Sequence, residues 1–146
     1  MLIADDWKEY VLLDSGDGEK LELWNSPEGG LILARPDPQV LWPKEKPELW
    51  SSADGTYARG EGGGYWSWKN TAPTQRILSY KNLKLLIKPT DFKHMGLFPE
   101  QAVNWDWMID LIKNSKRPVK VLNLFAYTGG ATVACLSGGA EVCHVD

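Results

Sequence analysis

Apolar and polar positions alternate over the first half of the chain and recur at helical spacing later, which predicts short strands followed by a mixed unit of strands and helices. Residues 5–13, with W-K-E-Y-V-L-L, suit a first strand, and Ser15-Gly16-Asp17-Gly18 is a turn signal. Residues 20–24 alternate charged with apolar side chains, as a half-buried strand should. A second turn over 26–30 leads to a strand over 31–34, ended by Arg35-Pro36-Asp37-Pro38. Strands this short at this spacing predict a small β-meander. Residues 43–48 carry two prolines and predict a loop, 50–57 reads as irregular, and 60–64 (G-E-G-G-G) is too glycine-rich to order without support. A strand resumes over 65–68. After the 71–74 loop, Arg76–Tyr80 and Leu83–Ile87 flank Lys81-Asn82 and predict a hairpin with a two-residue turn.

The period then changes. Ala102, Trp105, Ile109 and Ile112 share one face of a helix. Pro99 stands in its first turn, where a missing N–H costs nothing, and Glu100 favours the N-terminal dipole. Residues 119–125 form an apolar run that suits a strand buried on both faces of a parallel sheet. Residues 126–130 make a tight turn, in which Gly129 and Gly130 permit a sharp bend and close approach of a ligand. A short helix over 131–136 stops at Gly138 and Gly139, and Glu141–Val145 is a second buried strand with Asp146 at its tip. In such a unit the turn and helix N-terminus hold one part of a ligand, while the acid accepts hydrogen bonds from ribose hydroxyls.

The fold class expected is α+β to α/β. A β-rich N-terminal module occupies residues 1–74, a hairpin linker 75–92, and the start of a Rossmann-like domain 93–146, truncated after its second strand. A complete sheet of that kind has about five to seven strands, and a lone pair cannot cover its own faces. The expectation is the N-terminal part of a longer protein, with the open sheet edge as a candidate homodimer surface.

Composition narrows the setting. An apolar fraction of 43% and a mean hydropathy of -0.32 describe a soluble globular chain, and no apolar run approaches the ~20 residues of a membrane span. Acids at Asp5 and Asp6 stand where a signal peptide would be basic, so the expected location is cytoplasmic, without a membrane partner. Cys135 and Cys143 fall in predicted buried elements and read as small core residues, with no metal site. Residues 1–70 hold 13 acids and 7 bases, while 71–146 hold 6 acids and 9 bases, all nine between Arg76 and Lys120. If RNA is a partner, this basic second half should receive its phosphates; on counts alone, solvation of a surface explains the lysines better. Six of the eight tryptophans precede residue 70. The acidity of that segment favours a core role over a stacking platform for bases.

The ligand class follows from the turn. A dinucleotide pyrophosphate needs G-x-G-x-x-G, but here Phe125 and Tyr127 hold the early glycine positions. That suits a ligand whose amino-acid end needs a single close backbone approach. The run N-L-F-A-Y-T-G-G-A from Asn123 to Ala131, followed by V-D at the next strand end, resembles motif I of class I S-adenosylmethionine-dependent methyltransferases. It is most similar to the branch containing bacterial 23S ribosomal RNA methyltransferases of the cytosine-C5 and guanine types. His94-Met95-Gly96-Leu97-Phe98-Pro99-Glu100-Gln101 resembles the G-[LFY]-[FY]-x-[DE]-Q segment that precedes motif I in these enzymes and lies beside the cofactor. The arginine that often follows is replaced by Ala102.

The resemblance implies S-adenosylmethionine as cofactor, with Tyr127, Gly129 and Gly130 against its methionine part and Asp146 on its ribose. Phe98, Gln101, Asn123 and Phe125 complete the implied cofactor residues. Asn123 stands where most relatives carry an acid, so it offers a carbonyl oxygen without counter-charge. The implied substrate is a base in RNA, which in that branch is ribosomal RNA. No catalytic residue is expected in this chain, because it lacks an N-P-P-[YF] motif and both cysteines stand in the wrong elements for a nucleophile. His94 is a candidate proton relay, although an ordinary hydrogen-bonded histidine is the commoner case. Two other classes fit less well: an NAD(P) oxidoreductase, which lacks its glycines here, and a non-catalytic β-rich interaction module.

Overall fold

The computed structural model describes residues 3–61, 63–71, 73, 75–90 and 92–146. Parts of two expected loops, at Gly62 and at Ala72 and Thr74, lie outside the described residues, as does the boundary drawn at residue 74. Turn chemistry sets the first three strands, β1 (Tyr10–Gly16), β2 (Glu19–Ser26) and β3 (Gly29–Pro36). Asp17 and Gly18 join β1 to β2 with φ of 52° and 76°, the paired positive angles that match the twist of a tight hairpin. Ser15 and Gly16, expected in the turn, belong to the strand. Residue 5 onward does not open a strand either. Instead Trp7 inserts as a plug, and its indole N–H finds the Pro99 carbonyl at 2.9 Å.

A 3-10 turn at Pro47–Ser52 carries the chain to β4 (Gly55–Gly60), which lies parallel to β3, and β5 (Gly63–Trp68) pairs antiparallel with β4. The sheet order is β1-β2-β3-β4-β5. Most of the glycine-rich stretch expected to be unordered is therefore strand, with Gly60 opposite Gly63. Aromatic packing supplies the support. A Cβ on Gly64 would lie 2.5 Å from the Tyr57 side chain, and one on Gly55 would overlap the Trp68 ring.

The predicted hairpin is present as β6 (Arg76–Tyr80) and β7 (Leu83–Ile87). A 3-10 turn at Pro99–Gln101 leads into α1 (Ala102–Lys113), which buries Ala102, Trp105 and Ile109 and half-buries Ile112. β8 (Lys120–Leu124), α2 (Gly130–Ser137) and β9 (Glu141–Val145) follow, with β8 and β9 parallel in the register Lys120 to Glu141. β8 is not buried on both faces as expected. α2 covers one face, while Leu122, Leu124 and Val145 stand open on the other, with Leu122 62% exposed. Cys143 shares that open face and is exposed, whereas Cys135 is buried.

One apolar cluster joins Trp7, Trp24 and Leu33 to Leu78, Tyr80 and Trp105. Of the six early tryptophans, Trp7 and Trp24 are buried, Trp50, Trp66 and Trp68 are half-buried, and Trp42 is exposed with its indole N–H on the Ser15 carbonyl. The core reading holds fully for two of them.

β2 is more buried than its alternation suggests, because both its faces are covered: Leu21, Glu22 and Trp24 are all fully inaccessible. Glu22 is held by Arg35 on β3, whose Nε and Nη2 donate to its two oxygens at 2.6 and 2.8 Å. Tyr10 donates its hydroxyl to the same carboxylate at 2.8 Å. The remaining Arg35 nitrogen, Nη1, donates to the Lys93 carbonyl at 2.8 Å, which ties the sheet to the segment before α1.

A second buried phenol yields a pH prediction. Tyr80 donates to Asp106 at 2.6 Å; burial first, and that carboxylate second, push its pKa from 10.0 up to about 12. A phenol that binds its proton more tightly when folded adds stability that is complete below pH 10 and lost as pH rises toward 12. Stability measured by urea midpoints should fall across that window, with Tyr10, also pushed up by burial, adding to the trend. Tyr80→Phe should flatten the fall; an identical slope in the variant would remove Tyr80 as its source.

Candidate functional site

The turn after β8 has an unusual backbone. Phe125 and Tyr127 both adopt positive φ, 56° and 54°, a conformation that costs an aromatic residue about 1–2 kcal/mol and collects at functional sites. Surrounding bonds hold it. The Ala126 N–H donates to the Val145 carbonyl at 3.1 Å, and the Tyr127 N–H to Asp146 Oδ1 at 2.7 Å. Thr128 donates its hydroxyl to the Gly96 carbonyl at 2.6 Å, so the turn is tied to the preceding segment as well as to β9.

The two glycines have different tasks. Gly129, with φ of 93°, is the cap residue of α2. Gly130 begins the helix, and a Cβ there would come within 3.0 Å of the Trp105 ring. Its task is close packing on α1 rather than a bend. α2 has no side-chain cap, so its first-turn N–H groups remain available to a ligand. Behind the turn, Asn123 Nδ2 donates to Thr132 Oγ1 at 2.8 Å, and Thr132 lies 2.9 Å from His144 Nδ1. This leaves Asn123 Oδ1 as its acceptor for anything in front.

In front lies a cavity of about 250 Å³. Six of the eight expected cofactor residues line it: Phe98, Gln101, Asn123, Phe125, Tyr127 and Gly130. Gly129 and Asp146 do not; the first shapes the cap and the second accepts from the Tyr127 N–H. The Phe98 and Tyr127 rings lie 5.2 Å apart, and burial raises the Tyr127 pKa, keeping the hydroxyl neutral. Leu97 and Trp105 complete the wall. Leu97 falls in the motif at 94–101 and Trp105 on the apolar face of the helix, but the sequence marks neither as a cofactor residue, nor Thr128, Thr132 or His144. Only Thr128 carries a usable signal, since a hydroxyl in a tight turn commonly bonds nearby backbone. His94 is not on this cavity. It meets Phe98 edge-on at 5.7 Å and faces a second cavity, where burial lowers its pKa, with Arg35, Lys93 and Lys20 adding to the effect.

Among solved structures, the chain matches the SAM-dependent methyltransferase from Agrobacterium tumefaciens with a TM-score of 0.87 and 39% sequence identity, over 96% of this chain and 44% of that one. The chain belongs to the SAM-dependent methyltransferases. Two further matches share 18% identity and show the fold alone. One is a Streptococcus mutans protein assigned as a SAM-dependent methyltransferase, with a TM-score of 0.62 over 93% of this chain and 38% of that one. The other is SMU.776, assigned as a methyltransferase and solved as a complex with SAH, with a TM-score of 0.61 over 93% and 37%. The chain spans less than half the length of the solved proteins it matches. No family model matches it, and no curated protein does. Among the described residues, no helix is long and apolar enough to cross a membrane.

Proposed function

We propose that this chain supplies the methionine-side half of an S-adenosylmethionine site, within a Rossmann-like sheet begun by β8, α2 and β9, and that the whole enzyme methylates a base in RNA. The observation that carries the reading is the clamped turn. Asp146 and Gly96 fix Tyr127 and Thr128, so that the uncapped first turn of α2 opens on the cavity.

The residues fit the cofactor's chemistry. Free N–H groups at the start of α2 suit a carboxylate, Asn123 Oδ1 suits an ammonium, and the second oxygen of Asp146 suits a ribose hydroxyl. Phe98 and Tyr127 wall the cavity with apolar rings that exclude water. Bound there, S-adenosylmethionine supplies a methyl group activated by its sulfonium. The chain's own part is to orient that group and to keep it dry. The RNA substrate is favoured by the likeness of the motifs at 94–101 and 123–131 to the ribosomal RNA branch and by the basic residues from Arg76 to Lys120. A cytoplasmic setting goes with that substrate.

Isothermal titration of the chain with S-adenosylhomocysteine and, separately, with NADH tests the cofactor. S-adenosylhomocysteine is expected to bind at least about ten-fold more tightly, because aromatic residues occupy the positions where a pyrophosphate needs glycine. Tighter binding of NADH would sink the proposal.

A further inference from the structure

The second cavity, of about 390 Å³, shares Leu97 and Phe98 with the first as a common wall. Its other residues come from both parts of the chain: Lys20 on β2, Arg35 on β3, Arg59 on β4, and Lys93 and His94 before α1. The carboxylates facing it are Asp37 and Glu100.

Charge here is poorly balanced. Arg35 is paired with the buried Glu22 at 2.6 Å. Lys20 has carboxylates at 3.6 Å, on that same Glu22, and at 3.9 Å, on Asp37. The Lys93 ammonium donates to the Pro36 carbonyl at 3.1 Å and has no ion pair among the described residues. Arg59 has no ion pair there either. Four cations, Lys20, Arg35, Arg59 and Lys93, therefore line one cavity, and among the described residues that line it only Asp37 and Glu100 are acids. Burial, and Arg59 after it, lower the Lys93 pKa, with Asp37 opposing them.

We propose that this cavity binds a phosphate group carried by the methyl acceptor, with Arg59 and Lys93 as its main donors. The proposal rests on the methyltransferase reading, since Phe98 then separates a phosphate subsite from the cofactor cavity. A phosphate fits better than a carboxylate: its oxygens can accept from a planar guanidinium and from two ammonium groups at once. The phosphate can belong to an RNA backbone or to a small phosphorylated molecule, and the chemistry of the cavity is the same for both.

The test is fluorescence anisotropy of a labelled single-stranded oligoribonucleotide of about ten residues, with adenosine 5′-monophosphate and penta-glutamate as competitors. The full chain and its Arg59→Gln/Lys93→Gln variant are compared, with S-adenosylhomocysteine titrated into each. The variant is expected to bind the oligoribonucleotide at least about ten-fold more weakly, with the slope of log affinity on log salt reduced by about 0.7 for each phosphate that is no longer neutralised. Arg59→Glu, a single change at an exposed position, should weaken it further without disturbing the fold. Competition by the mononucleotide assigns the site to a small phosphorylated acceptor. Weaker binding by the variant without such competition assigns it to a polymer.

Equal binding of both phosphorylated probes by wild type and variants would overturn the proposal, as would penta-glutamate competing as well as the mononucleotide. Failure of S-adenosylhomocysteine to bind, with the phosphate results as expected, would overturn the methyltransferase reading and leave this site standing.

Discussion

Glu22→Ala is expected to remove about 3–5 kcal/mol of folding stability, more than an ordinary core truncation on the same sheet. The loss comes less from the ion pair's own attraction than from what stays behind. Arg35 is 5% exposed, and without Glu22 its guanidinium would be a buried charge left with the Lys93 carbonyl and the Trp24 ring, and no carboxylate within bonding distance among the described residues. The Tyr10 hydroxyl would lose its acceptor as well. Since a domain of this kind has about 5–15 kcal/mol in total, urea denaturation should show a much lower midpoint or a chain largely unfolded without denaturant.

The compensating experiment separates this cause from simple loss of packing. In Glu22→Leu/Arg35→Met/Tyr10→Phe the charges disappear together, and most of the lost stability should return. If the triple variant were as unstable as Glu22→Ala, the uncompensated charge would not be the reason. Such a variant also removes the Arg35 bond to the Lys93 carbonyl and leaves the Lys93 ammonium on the Pro36 carbonyl to tie that segment to the sheet.

The second large effect is on binding. Asp146→Ala should weaken S-adenosylhomocysteine by about 1–3 kcal/mol, roughly 5- to 150-fold. Two losses contribute: the acceptor for a ribose hydroxyl, and the carboxylate that holds the Tyr127 N–H at 2.7 Å. With Phe125 and Tyr127 both at positive φ, release of that bond lets the turn relax toward commoner conformations. Asp146→Asn distinguishes the two, because an amide oxygen can still accept from Tyr127 while the charge is gone; its affinity should fall between those of wild type and alanine. Asp146 is exposed, so thermal melting should barely change in either variant. Titration calorimetry that returned the same affinity for all three proteins would remove Asp146 from the site.

Local pattern was legible wherever it alone decides structure. The hairpin of β6 and β7 follows from two strongly patterned runs around a two-residue turn. β8, α2 and β9 follow from an apolar run, two glycines and a second apolar run. Features that depend on register or distant contacts were hidden. Lys20-Leu21-Glu22 reads as a strand with one wet face, and only pairing with β3 brings Arg35 diagonally to Glu22 and turns that face inward. The glycines of β4 and β5 look like breakers until Tyr57 and Trp68 are seen filling the space above them. Around the first cavity, six of the lining residues were readable as candidates and their division of labour was not. Two aromatic side chains gave no sign of taking left-handed backbone, and the glycine expected to bend the chain proved to be a seat for Trp105.

The indole of Trp7 meets Pro99 across 92 positions of sequence, and its ring packs against Trp105. A nascent chain leaving the ribosome would carry β1 to β5 for some seconds before that partner emerged, at synthesis rates of about 5–20 residues per second. Until then the Trp7 ring has only part of its surroundings, Tyr10 and Tyr80 without Trp105, and its indole N–H lacks the Pro99 carbonyl. Translation would thus have to deliver α1 before the first-made sheet could close its interior.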